Sequence, residues 1–234
     1  MSVVTTLLSF VPPISGCGCA INAMPRRRAP EDLRPAAAET FLLDSAAGKI
    51  EIDINDPGAT RRGIALIAHP HPLMGGTKDN KVVTTLMRAL YALGFVALRP
   101  NFRGVGASTG SHDEGRGETA DLIAVAHYAR ERYGGLPLTC AGFSFGSFVQ
   151  THVAKQIKPD RLILVAPAVN RFKTEQVAAG TLVIHGELDD VVPLSAVFDW
   201  ARPQNLPVVV VPGGEHFFHG RLRVLDEIVT RYCR

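Results

Sequence analysis

The chain has 234 residues, of which 46% are hydrophobic and 20% charged, and its formal net charge at pH 7 is +3. This length and composition are typical of a globular protein with a single domain and exclude a disordered or fibrous protein. Part of the positive charge comes from the run at residues 26–28, so the charge does not indicate a nucleic-acid partner.

Residues 1–38 lack the periodicity of the rest and are predicted to form a poorly ordered extension before a domain at residues 39–234. Two prolines interrupt the apolar start and no basic residue precedes it, so we expect neither a membrane span nor an export signal. Met24 is an alternative to Met1 as the first residue of the native protein. The four cysteines show no disulfide or metal-site spacing, which favours free thiols and a cytoplasmic location.

From residue 39 onward, short β-branched runs alternate with longer helical patterns. This alternation predicts an α/β fold with a mostly parallel central sheet and helices on both faces. The predicted strands cover residues 40–43, 49–54, 63–68, 95–98, 136–141, 162–165, 181–184 and 207–211. The first two strands are predicted to form a hairpin, and the third is apolar throughout, as a central strand should be.

Helices are predicted where apolar residues recur at helical spacing. Asp79 is placed to cap the first helix and Gly94 to end it, and the second helix covers residues 122–133. A third helix follows Ser144, and each of the last three strands is expected to lead into a helix.

The pattern Gly-x-Ser-x-Gly occurs twice, around Ser108 and around Ser144. A nucleophile elbow needs a strand that runs into a sharp turn and then a helix, because this geometry exposes the serine hydroxyl above the sheet. Ser144 has a predicted strand before it and helical spacing after it, whereas Ser108 lies in a loop rich in Gly, Ser and Asp. We therefore predict Ser144 as the nucleophile and Ser108 as a loop residue.

A serine hydroxyl is a weak nucleophile and needs a base, which in turn needs a group that orients it. Asp189 and His216 follow the last two predicted strands, in chain order after Ser144. Parallel strands bring their carboxyl ends to one edge of the sheet, so these side chains are expected to meet there. The alternatives are Asp190 and Glu187 for the acid and His219 for the base, although His219 is better placed as a helix-start residue facing water.

Acyl transfer also needs N–H donors that stabilise the developing oxyanion. The amide of Phe145, directly after the nucleophile, is the first predicted donor. The loop after the strand at residues 63–68 reads His69-Pro70-His71-Pro72, and since proline has no N–H, the second donor is predicted to be His71, with Leu73 as the alternative. The two histidines of this loop would also suit a metal, but no further ligands follow them, so we predict no metal and no cofactor.

Residues 39–233 resemble a small member of the α/β-hydrolase superfamily without a lid, similar to bacterial predicted esterases. The resemblance rests on GFSFG at 142–146, HGELDD at 185–190 with Val-Val-Pro after it, GGEHFF at 213–218 and NFRGVG at 101–106. The His-Pro at residues 69–70 departs from the His-Gly of many members. The resemblance implies a carboxylesterase-like serine hydrolase with a Ser-His-Asp triad, an oxyanion hole and an acyl-enzyme intermediate. Open alternatives are an acyltransferase, a thioesterase, a peptidase, or a binding protein without turnover.

Only about fifteen residues separate the sixth and seventh predicted strands, which leaves no room for a lid. The substrate pocket should therefore be shallow and open. Its predicted apolar walls are Leu73, Met74, Phe143, Phe145, Phe172 and Phe217. We expect a small-molecule ester as the partner, with a preference for short to medium acyl groups, and neither a membrane nor a nucleic acid.

Overall fold

A computed structural model of the protein describes residues 38–46 and 48–234. The predicted N-terminal extension, with Met24 and two of the four cysteines, lies outside the described residues except for residue 38. The other two cysteines, Cys140 and Cys233, are buried free thiols. None of the helices in the described part of the chain has the length and hydropathy that crossing a membrane requires.

One eight-stranded sheet has the order β1-β2-β4-β3-β5-β6-β7-β8. The strands are β1 (Glu39–Ser45), β2 (Gly48–Asn55), β3 (Gly63–Ala68), β4 (Phe95–Pro100), β5 (Leu138–Phe143), β6 (Arg161–Val165), β7 (Leu182–Gly186) and β8 (Val208–Val211). The predicted hairpin is present, since β1 pairs antiparallel with β2, and β2 pairs antiparallel with β4. All the other pairs are parallel, which confirms the mostly parallel sheet.

Helices cover both faces of this sheet, as predicted. The α-helices are α1 (Lys81–Ala92), α2 (Arg116–Tyr133), α3 (Phe145–Ile157), α4 (Leu194–Ala201) and α5 (Leu222–Cys233). α1 and α5 contribute to one buried cluster, while α2 and α3 contribute to the other. Every residue of β3 is buried, and its side chains alternate between the two clusters. A strand that is covered on both faces needs no polar positions, which explains its continuous apolar sequence.

Several predicted details of the helices are wrong. Asn80, not Asp79, caps α1, because the Asn80 carboxamide accepts a hydrogen bond from the Val82 amide at 2.9 Å. α2 begins at Arg116, six residues before the predicted start, because its first turn is polar and the buried carboxylate of Glu118 accepts from loop amides there. Apolar periodicity cannot detect such a turn.

The connection from β6 to β7 contains turns but no helix, contrary to the predicted strand-helix unit. Sixteen residues, 166–181, form this connection. It confirms that the domain has no lid between these strands. Since β3, β5, β6, β7 and β8 are parallel, their carboxyl ends lie at one edge of the sheet, and the predicted site residues follow the ends of β3, β5, β7 and β8.

Candidate active site

Ser144 lies between the end of β5 and the start of α3 in a strained backbone conformation, with φ 55° and ψ −116°. A non-glycine residue with positive φ is costly and is typical of a nucleophile elbow. The two flanking glycines are required by close packing. A Cβ on Gly142 would lie 2.5 Å from the Gly146 carbonyl oxygen, and one on Gly146 would lie 2.4 Å from the Ala68 carbonyl oxygen. The elbow therefore depends on both glycines.

The imidazole of His216 connects Ser144 to Asp189. Its Nε2 lies 3.0 Å from Ser144 Oγ, and its Nδ1 lies 2.8 Å from Asp189 Oδ2. All three side chains are buried, although Ser144 and His216 also line a pocket. With Nδ1–H donating to the carboxylate, Nε2 is left to accept from the serine hydroxyl. The structure thus brings the three predicted residues into one hydrogen-bonded series.

Asp189 differs from the neighbouring carboxylates by its burial and its hydrogen bonds. Its Oδ1 accepts from the amides of Val191 at 3.0 Å and Val192 at 2.8 Å, which turns Oδ2 towards the imidazole. Burial alone would raise the pKa of Asp189, but the hydrogen bonds from His216 and Val192 outweigh it and lower this pKa below its usual value. The carboxylate therefore stays ionised beside the imidazole.

The alternative acids and base lie away from this series. Glu187 and Asp190 are exposed, and the Glu187 carboxylate accepts from the amide of Gly213 at 2.8 Å. His219 is exposed just before α5, and its imidazole contacts the carboxylate of Glu215 instead of Ser144. Burial thus distinguishes Asp189 from the neighbouring carboxylates and His216 from the imidazole of His219.

His185 is a residue that the sequence reasoning missed. Its fully buried imidazole donates from Nε2 to the Val192 carbonyl at 2.8 Å, and this Nε2 lies 3.5 Å from Asp189 Oδ2. Burial lowers the pKa of His185, so the ring is neutral. Its Nδ1 has no hydrogen-bond partner among the described residues. His185 therefore supports the turn that carries Asp189. Its position four residues before Asp189 is the sequence feature that could have indicated this role.

The two predicted oxyanion donors, Phe145 and His71, line the same pocket as Ser144. Phe145 is the first residue of α3, where an amide has no partner within the helix. The amide of His71 has no acceptor among the residues that the structure describes. The alternative donor, the Leu73 amide, is engaged, because it donates to the imidazole Nδ1 of His71 at 3.3 Å. The two predicted amides are therefore available to a ligand.

His69 fixes the loop that carries His71. Its Nδ1–H donates to the Pro70 carbonyl at 2.7 Å, and its Nε2 accepts from the Phe102 amide at 2.9 Å. Burial lowers the pKa of His69 to about 4, so the ring stays neutral. Since both ring nitrogens are engaged, His69 has no lone pair for a metal, and the alternative of a two-histidine metal site is not supported.

The pocket at Ser144 has a volume of about 330 Å³, and its walls are mostly apolar. Met74, Phe172 and Phe217 line it, as predicted. Leu73 is 72% exposed and lines a neighbouring cavity instead. The prediction for Phe143 is wrong, because this side chain is fully buried in the core behind the His216 ring, with ring centroids 5.1 Å apart.

Ser108, the serine of the other motif, is a loop residue as predicted. Its hydroxyl donates to the Asn101 carbonyl at 2.8 Å and accepts from the Glu51 amide at 2.9 Å. The bond from Glu51 holds the loop against β2, and the bond to Asn101 closes the loop on itself. The hydroxyl is therefore engaged in structural hydrogen bonds and is not free to act as a nucleophile.

Comparisons with known proteins agree with this architecture. A family model described as "Serine aminopeptidase, S33" matches residues 71–174. A serine hydrolase without a lid from Xanthomonas campestris is 37% identical, with a TM-score of 0.81 over 86% of this chain and 96% of that chain. The chain belongs to the α/β-hydrolase superfamily. A serine hydrolase homologue from Coxiella burnetii is 41% identical to this hydrolase, with a TM-score of 0.79 over 84% and 97% of the two chains.

A more distant similarity connects this hydrolase to a curated lipase. The lysophosphatidylserine lipase ABHD12 of Mus musculus is 30% identical over 131 residues, which are 54% of this chain and 32% of the lipase. The chain thus spans about a third of that relative's length. The two structural neighbours, at 37% and 41% identity, place the protein among serine hydrolases.

Proposed function

We propose that this hydrolase cleaves carboxylic esters through an acyl-enzyme formed on Ser144, with His216 as general base and Asp189 as the group that orients it. One observation carries the proposal. The His216 imidazole lies within hydrogen-bonding distance of the Ser144 hydroxyl on one side and of the Asp189 carboxylate on the other. A hydroxyl can act as a nucleophile near neutral pH only when such a base takes its proton.

In the acylation half-reaction, Ser144 Oγ attacks the ester carbonyl carbon while His216 Nε2 takes the hydroxyl proton. The carbonyl oxygen becomes an oxyanion, to which the amides of Phe145 and His71 donate. When the tetrahedral intermediate collapses, the bond to the alcohol oxygen breaks and His216 returns its proton to that oxygen. The alcohol leaves, and the acyl group remains on Ser144.

In deacylation, a water molecule takes the place of the alcohol. His216 removes a proton from the water as the water oxygen attacks the acyl carbon. The second tetrahedral intermediate collapses, the proton passes to Ser144 Oγ, and the carboxylic acid is released. The ionised Asp189 stabilises the imidazolium that forms in both half-reactions, without itself taking a proton.

The walls of the pocket favour an ester with a short or medium acyl group. Met74, Phe172 and Phe217 give the pocket an apolar surface, and its volume of about 330 Å³ is at the small end for ligand sites. The relative ABHD12 bears the name of a lysophosphatidylserine lipase, an activity on an ester, which is consistent with the proposal.

An aminopeptidase is the second candidate, because the matching family model carries that description. A carboxylate near the scissile bond favours recognition of a free amino group, because the amino group is a cation near neutral pH. Among the described residues that line the Ser144 pocket, none is Asp or Glu, and the charged side chain in its wall is the cation Arg171. This charge opposes the binding of an ammonium group, so the pocket favours an ester over an amino-terminal peptide.

A fluorophosphonate probe and a panel of p-nitrophenyl esters test the proposal. We expect the wild type to be labelled and to hydrolyse short and medium acyl esters, and we expect Ser144→Ala to do neither. Leucine p-nitroanilide and an acyl thioester in the same panel separate peptidase and thioesterase activity. A folded wild type that is not labelled would favour a binding protein, and an optimum at long acyl chains would contradict the predicted preference.

A further inference from the structure

A second cavity, of about 880 Å³, lies beside the Ser144 pocket. The two cavities share three wall residues, His71, Arg171 and Phe172. We call the larger cavity the basin, and its other charged or titratable wall residues include His112, Glu114, Arg116 and Lys173. Since the cavities have a common wall, a ligand bound at Ser144 can extend into the basin.

Two of the three Arg and Lys residues that line the basin have no acidic partner among the described residues, although the carboxylate of Glu114 also lines it. Arg116 is paired, because its guanidinium lies 2.7 Å from Asp113 and 3.9 Å from Glu114. By contrast, neither Arg171 nor Lys173 has a carboxylate within 4.0 Å or a side-chain hydrogen bond in the described part of the chain. Surface cations of a folded protein are often unpaired, but here one of them lines both cavities.

The backbone at Arg171 is held on both sides. The carboxamide of Asn170 donates to the Val191 carbonyl at 3.1 Å, in the turn that carries Asp189. The ring of Phe172 stacks on Phe148, with centroids 4.7 Å apart and an interplanar angle of 19°. Arg171 itself donates its amide to the Ala168 carbonyl at 3.3 Å. These contacts position the backbone of Arg171, whose exposed side chain has no hydrogen-bond partner among the described residues.

The positive charge of Arg171 acts on His71, a residue in the wall of the Ser144 pocket. Burial and the neighbouring imidazole of His112 lower the pKa of His71, and the positive charge of Arg171 acts in the same direction, against Glu118. His71 is the residue whose amide we propose as an oxyanion donor. Arg171 and His71 line one pocket together with Ser144, so the guanidinium belongs to a residue of the site where the reaction is proposed.

We infer that the basin binds an anionic group, a carboxylate or a phosphate, on the alcohol part of the ester, and that Arg171 is the residue that selects it. This inference rests on the proposed function. The apolar pocket suits the acyl group, so the alcohol part is the one that reaches the basin. A guanidinium offers two parallel N–H donors that match the oxygens of a carboxylate or phosphate, and an unpaired one gains most from such a ligand.

The test compares three acetyl esters that differ in the group on the alcohol ring. These are 4-acetoxybenzoate, its methyl ester, and 4-acetoxyphenyl phosphate, the last of which distinguishes a phosphate site from a carboxylate site. The measured quantity is kcat/KM for each anionic ester divided by kcat/KM for the neutral one. We expect this ratio to fall roughly tenfold in Arg171→Ala, as the loss of one charge-assisted hydrogen bond predicts.

Two further variants and salt sharpen the result. Arg171→Lys should retain part of the preference, because the charge remains but the planar donor pair is lost. Arg223→Ala removes an exposed arginine of α5 that lines neither cavity, and the ratio should not change. Rising ionic strength should reduce the ratio in wild type and leave it almost constant in Arg171→Ala.

Binding to Ser144→Ala separates this inference from the proposed function. We expect calorimetry to show tighter binding of at least one anionic ester than of the methyl ester, and we expect Arg171→Ala in the same background to remove the difference. Equal binding of all three esters, or a preference that survives Arg171→Ala, would overturn the inference while leaving hydrolysis at Ser144 intact. Charge-selective binding without hydrolysis by the wild type would overturn the proposed function alone.

Discussion

The segments around Ser108 and Ser144 have the same Gly-x-Ser-x-Gly pattern but use their serines differently. Ser108 lies in a loop, where its hydroxyl bridges the Asn101 carbonyl and the Glu51 amide. Ser144 lies in a strained turn between a strand and a helix, where its hydroxyl faces an imidazole. The motif is compatible with either role, and the flanking strand and helix decide whether the hydroxyl is free for chemistry.

The largest expected effect is that of Ser144→Ala. Removing the proposed nucleophile should lower kcat for a p-nitrophenyl ester by about 10⁶-fold, while the free energy of unfolding changes by less than about 1 kcal/mol. Steady-state kinetics and urea unfolding measure the two quantities. Ser195→Ala, at an exposed position of α4, is the matched control and should change neither. Residual activity near the wild-type level would show that another residue is the nucleophile, and Ser108 would be the first candidate.

Asp189→Asn should lower kcat by about 10⁴-fold. The carboxamide can still accept from the two amides of its turn, but it does not hold His216 in the tautomer whose Nε2 accepts a proton. Asp190→Asn is the control, because this neighbouring carboxylate is exposed. If the two substitutions reduced kcat equally, the assignment of Asp189 as the orienting acid would be wrong.

His69 contacts the segments around both Ser108 and Ser144, and its burial makes the free energy of unfolding depend on pH. Its ring accepts from the Phe102 amide, next to the Ser108 loop, and a Cβ on Gly146 would lie 2.5 Å from the His69 carbonyl oxygen. Because its pKa is lowered to about 4, the unfolded chain binds a proton below pH 6.5 while the folded protein does not. Stability should therefore fall as pH decreases from about 6.5 to about 4.

The size of this loss can be measured with His69→Gln, whose carboxamide does not titrate. Urea unfolding at pH 7 and at pH 4.5 should show that wild type loses about 2 to 3 kcal/mol more than the variant over this interval. An equal loss in both proteins would show that His69 is not held neutral in the fold. A smaller free energy of unfolding for the variant at pH 7 is expected and does not affect the comparison.

The smallest expected effect is that of Ser108→Ala. The substitution removes a buried hydroxyl that both donates and accepts, which should cost about 1 to 3 kcal/mol of unfolding free energy. Activity at 25 °C should remain within a few-fold of wild type. Ser111→Ala, at an exposed position of the same loop, should change stability by less than about 0.5 kcal/mol. A large loss of kcat in Ser108→Ala, with the fold intact, would contradict the division of roles between the two serines.

Sequence reasoning predicted the parts of the fold that depend on local periodicity. The apolar run of β3, the opening hairpin and the helix after Ser144 are all present in the structure. Sequence reasoning failed where hydrogen bonds of polar side chains determine how a helix begins. The first turn of α2 is held by the buried carboxylate of Glu118, and α1 is capped by the carboxamide of Asn80. Such hydrogen bonds leave no trace in a hydrophobic pattern.

For the site, the sequence by itself determined the order of the functional groups, because the ends of successive parallel strands must meet at one edge of a sheet. It did not separate Asp189 from the adjacent carboxylates, since neighbours in one turn have the same spacing. The tertiary structure separated them, because Asp189 is the buried carboxylate that meets the imidazole of His216, whereas Glu187 and Asp190 are exposed. The burial of Phe143 behind the His216 ring likewise depends on a contact between segments distant in sequence.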